Sequence, residues 1–220
     1  MIDGRKLAAE GLGTGFLLAI IVGSGIMGER LADGNDAIAL LANSTATGAG
    51  LAVLILVFGP VSGAHFNPAV TLVAALCRQL PVRSAIAFVL TQMMGALAGV
   101  AVAHLMFDLP LYSLSTHVRT GPGQWLSEFV ATFGLILVIL SCVKHRPLAT
   151  PFAVASYIAS AYWFTASTSF ANPAVTVARA MTNTFAGIYP GNTVGFILSQ
   201  LLAAVGALGF FNWLTKQTAR

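Results

Sequence analysis

Six long apolar runs divide the chain, at roughly 7–28, 37–58, 82–106, 125–143, 148–166 and 192–214. Each holds close to the ~20 residues that a helix needs to cross a hydrocarbon core of ~30 Å. Two connectors break the alternation of apolar run and short loop. Segments 59–81 and 167–191 are too apolar for ordinary loops, yet too short and interrupted to span. Such segments are tolerated at membrane depth only where protein buries them or where they line a watery cavity. The pattern predicts an all-α membrane protein of six transmembrane helices and two re-entrant half-helices.

The two odd connectors carry the same words. Asn67-Pro68-Ala69-Val70-Thr71 lies in the first and Asn172-Pro173-Ala174-Val175-Thr176 in the second. Proline suits the first position of a helix, where its missing N–H is no loss, and Asn is a good N-cap. Each copy therefore predicts the start of a short helix capped by Asn. An internal repeat in an apolar chain points to two related halves, about 1–114 and 115–220, within a single transmembrane domain. Glu10 in the first run and Glu128 in the fourth repeat the correspondence. An odd number of spans per half inverts the second half, so the two Asn-capped ends meet near the midplane. Each end brings about half a positive elementary charge and unpaired N–H donors.

Composition strengthens this reading. Of 220 residues, 57% are hydrophobic and 8% charged, against about a quarter charged in soluble domains, and the mean hydropathy is +0.84. The 22 glycines suit close helix packing in lipid. A net charge of +4 could suggest a nucleic-acid partner, but the basic residues are scattered at segment ends, where they set orientation. With both termini in the cytoplasm, Arg5, Lys6, Arg78, Arg83, Lys144, Arg146, Lys216 and Arg220 fall inside, and Arg30, Arg119 and Arg179 outside. That bias satisfies the positive-inside rule. The start shows no cleavable leader pattern, and Cys77 and Cys142 suggest no disulfide framework.

The segment Ser62-Gly63-Ala64-His65-Phe66-Asn67-Pro68-Ala69-Val70-Thr71, with the second Asn172-Pro173-Ala174, resembles the aquaporin, or major intrinsic protein, family. The resemblance covers essentially the whole chain. It implies a channel domain with one pore per subunit, a homotetramer in the membrane, no cofactor, and passage of water and small neutral solutes. It also implies that Glu10 and Glu128 support the re-entrant loops by accepting backbone N–H groups. Most members place Arg three residues after the second motif Asn, where this chain has Val175. Ungapped spacing carries the other filter positions to Thr47, Ser160 and Ser169. A ring of Thr, Ser, Ser and Val has no bulky aromatic and no fixed charge, so it should be wider than a water filter. Similar Val-containing filters occur in bacterial members linked to trivalent arsenic permeation.

Arg179 lies one turn beyond Val175 on the same helix face, since four residues rotate a helix by about 400°. The preferred expectation is that it caps the outer mouth or binds carbonyls of the 107–123 loop; the alternative is that it reaches back to the filter. His65 is expected to bond loop backbone while edging the inner vestibule. His104, His117 and His145 show no metal-ligand spacing, and Trp213 reads as an interfacial anchor. No nucleophile–base pair, phosphate loop or metal cluster supports an enzyme. A coupled transporter is the competing class, because inverted repeats with broken helices also build those. It would need ionisable groups at the midplane beyond the two structural acids. The inner membrane of a bacterium is the expected location.

Overall fold

The structure, a computed structural model, describes residues 3–216; Arg220 of the charge tally lies outside them. Eight α-helices follow in order: α1 (Gly4–Leu31), α2 (Asp36–Ser62), α3 (Pro68–Leu76), α4 (Val82–Met106), α5 (Pro122–His145), α6 (Thr150–Phe164), α7 (Pro173–Arg179) and α8 (Thr193–Leu214). No strand occurs among the described residues. Short 3₁₀ turns at Pro147–Ala149 and Pro190–Asn192 lead into α6 and α8.

Five of the six apolar runs form helices long and apolar enough to cross a membrane unaided. The run at 148–166 is shorter than expected, because its α-helix has only 15 residues. Pro147 and Pro151 are responsible. Each starts a helical segment, and neither can donate the N–H that would continue the preceding turn. The two odd connectors contain the short helices α3 and α7, each beginning at the motif proline with the motif Asn as N-cap.

Packing follows the repeat. The first half places α1 against α2 and α4, the second places α5 against α6 and α8, and α2 meets α6 across the join. Both short helices pack against α4 and α8. Small residues let α1 and α4 approach at backbone distance. A Cβ on Gly95 would run into the Gly11 carbonyl, and one on Gly99 into that of Gly15. Polarity is distributed opposite to a water-soluble protein. Glu10, Gln92, His104, Glu128 and Gln200 are wholly buried, whereas Leu90, Met94, Val194 and Leu202 face outward. Lipid accepts apolar surface and offers no hydrogen bonds, so polar groups gather inside the bundle.

Candidate functional site

Each motif Asn is bonded at both ends of its amide. Asn67 Oδ1 accepts from Ala69 N at 2.8 Å, and Asn172 Oδ1 accepts from Ala174 N at 2.9 Å. Their Nδ2 groups donate across the join: Asn67 to the Ala171 carbonyl and Asn172 to the Phe66 carbonyl, both at 2.8 Å. The two half-helices are thus clasped N-terminus to N-terminus. A carboxamide nitrogen carries two hydrogens, so one on each Asn remains for another acceptor. Both side chains line the same cavity, along with Phe66 and Ala171, the residues that precede them.

The loops that deliver these helices are held in an unusual shape. Gly63, Ala64 and Phe66 have φ of 92°, 50° and 49°, and their counterparts Thr168, Ser169 and Ala171 have 60°, 52° and 48°. Left-handed conformation costs a non-glycine residue about 1–2 kcal/mol, so something must over-determine it. The buried acids do so. Glu10 accepts from Ser62 Oγ (2.6 Å), His65 N (3.0 Å), Phe66 N (2.8 Å) and Gln92 Nε2 (2.7 Å). Glu128 repeats the set with Ser167 Oγ (2.6 Å), Phe170 N (2.8 Å), Ala171 N (2.8 Å) and Gln200 Nε2 (2.6 Å). Gln92 and Gln200 also donate to Thr71 and Thr176 on the half-helices. Each carboxylate is fully supplied with donors, which offsets its burial.

The cavity encloses about 280 Å³ and runs past His65 and the Asn pair to Thr47, Ser169, Val175 and Arg179. Leucines, isoleucines and valines form most of its remaining wall. His65 lines it as expected, although its ring bonds the Thr71 hydroxyl (3.1 Å) rather than loop backbone. Ser160 does not line it. Its side chain is exposed on the other side of α6 and bonds the Tyr157 carbonyl at 2.8 Å. Val154, Ile158 and Tyr162 face the cavity at successive turns. Ser160, two residues from Ile158, is rotated about 200° away. Ungapped counting fails here because loop 165–171 is ordered by its own bonds, so spacing from Asn172 does not fix the phase of α6. Tyr162 occupies the wall instead, its hydroxyl 3.4 Å from Thr47 Oγ1.

Arg179 is 2% exposed. Its Nε donates to the Ala186 carbonyl, in the segment after α7 and not in the 107–123 loop as expected. The guanidinium lies over the Phe170 ring with Cζ 3.4 Å from the centroid. Arg119 holds the same segment through the Gly187 carbonyl (2.9 Å). Further bonds join 107–121 to 180–192, among them Ser113 N to Met181 O and Tyr189 N to His117 O. His104 anchors this mouth from α4, between the Pro110 carbonyl (2.6 Å) and the Thr182 hydroxyl (2.7 Å). Sequence reasoning missed Gln92, Gln200, Tyr162 and Phe170. The two glutamines had a signal, each a lone amide deep in an apolar run.

Two repeated halves, each ending a half-helix on an Asn inside an apolar membrane bundle, define an aquaporin-like membrane protein. The chain belongs to the major intrinsic protein family, whose family model matches residues 3–150. It is 57% identical over 212 residues to the aquaglyceroporin AqpS of Rhizobium meliloti (strain 1021), covering 96% of this chain and 91% of that protein. It is 34% identical over 144 residues to aquaporin NIP1-2 of Arabidopsis thaliana, covering 61% of this chain and 48% of that one. Its fold matches the X-ray structure of the aquaglyceroporin from Plasmodium falciparum, with a TM-score of 0.74, 19% identity and 95% of each chain covered.

Proposed function

We infer that this protein is a passive channel for water and small uncharged solutes of glycerol size. The carrying observation is the Asn67–Asn172 clasp within one continuous cavity. Two positive helix ends facing one point disfavour any cation there and turn a passing oxygen toward the amide donors. The apolar wall offers few other partners, so a solute loses and regains hydrogen bonds in a fixed sequence. The name of the aquaglyceroporin relative supports solutes beyond water.

Trivalent arsenic acid belongs to the same proposal. It is neutral and polyol-like in shape, and beside the Tyr162 ring the wall offers it the short side chains of Thr47, Ser169 and Val175. The mouth under 107–121 is the outer one in this reading, both termini are cytoplasmic, and the working unit is a homotetramer in a bacterial inner membrane. Bias of the basic residues supports the orientation. Stopped-flow comparison of water, glycerol and arsenite permeability in proteoliposomes tests the solute range. All three should exceed empty liposomes; water flux without glycerol or arsenite flux would reduce the protein to a water channel.

A further inference from the structure

The wall position that most family members give to arginine holds Val175, yet the ring is not without a cation. Arg179, one turn later on α7, faces the same cavity as Val175. Helical side chains lean toward the N-terminus, and this one reaches back to Phe170, the neighbour of Ser169. Its level is therefore that of the loop residue at the constriction, although it lies four positions downstream of where sequence spacing would look for it. Three contacts fix the residue: the Ala186 carbonyl on Nε, the Phe170 ring beneath the guanidinium, and its own carbonyl accepting from Ile188 N at 3.2 Å. Its side-chain bond goes to a carbonyl and not to a carboxylate.

Two buried polar atoms here lack partners among the described residues: Arg179 Nη1 and Ser169 Oγ. Buried donors without partners are costly. Both residues line the cavity, so a small side-chain rotation brings either atom, covered in the structure, to whatever passes through it.

Resting on the channel reading, we propose that Arg179 is the specificity-determining cation of the outer constriction. It takes the role that Val175 leaves vacant, repelling cations and, with Ser169, receiving the oxygen of a neutral hydroxylated solute. Because the guanidinium is set back against Phe170, charge exclusion is kept while position 175 carries only a short valine side chain.

The test uses the full-length protein in proteoliposomes, reading water and glycerol flux by light scattering and proton and potassium leak by dye. A unit charge a few ångströms from the path changes cation entry by about tenfold or more. Arg179→Met should raise cation leak relative to water flux by about that factor, and Arg179→Lys should keep it low. Adding Val175→Arg to Arg179→Met should restore exclusion and cut glycerol flux more than water flux. A leak-to-water ratio in Arg179→Met indistinguishable from the unsubstituted protein overturns the proposal. Should Arg179→Met fail to fold, Ser169→Cys with Arg179 intact decides. A negatively charged methanethiosulfonate should modify it about tenfold faster than a positively charged one, relative to free cysteine; equal relative rates overturn the proposal. Unsubstituted protein that passes neither water nor glycerol overturns the channel reading itself, and this inference with it.

Discussion

Asn67 and Asn172 show how much one side chain type settles at this site. The oxygen of each caps its own helix and one amide hydrogen clasps the opposite loop, which leaves a single donor for the pore. The motif pair and the acids Glu10 and Glu128 were legible in the sequence because they are polar residues in apolar runs, repeated in order. The wall residues were less so. Thr47, Ser169 and Val175 line the cavity, but the phase of α6 put Tyr162 there in place of Ser160. Ser169 offers a test of this placement. It is 3% exposed, its hydroxyl is free, and it lines the cavity, whereas Cys77 and Cys142 do not. Water flux through the unsubstituted protein should therefore resist mercurials. Ser169→Cys should make it sensitive, with most of the flux lost and recovered on adding a thiol. Strong block of the unsubstituted protein would mean that a native cysteine reaches the pore.

Helix boundaries followed from proline and glycine more than from hydropathy. Pro68 and Pro173 start the half-helices, Gly63 ends α2 with φ 92°, and Pro147 and Pro151 shorten α6. What the sequence left open was which elements touch. The glycines of α1 and α4 are scattered through two apolar runs, and only their facing positions reveal a seam of carbonyl against Cα. A side chain at Gly95 meets the Gly11 backbone, which has no flexible end to move aside. Overpacking of this kind costs about 1–3 kcal/mol and occasionally more. Gly95→Val should lower the unfolding midpoint of the purified protein in detergent, read by circular dichroism. Gly209→Val, where nothing lies within 4 Å, should leave it close to the original. Equal midpoints for the two variants would remove the seam from the account.

At the scale of the whole molecule, inversion converts two ordinary N-caps into a barrier. One half-helix alone would attract anions to its end. Two ends clasped at one point, with apolar walls on both sides, add their positive ends together, which disfavours a cation there far more than a neutral solute. The wholly buried acids Glu10 and Glu128 are committed to the loops through four donors each, which leaves neither of them to couple flux to an ion gradient. The fold could be read from the repeat, whereas the clasp itself, formed between residues more than a hundred positions apart, could not. The most direct measurement is glycerol entry into proteoliposomes as a function of glycerol concentration, with and without imposed proton and sodium gradients. A passive channel predicts flux that rises linearly through the millimolar range and ignores both gradients. Saturation at millimolar glycerol, or a rate that follows either gradient, would contradict it.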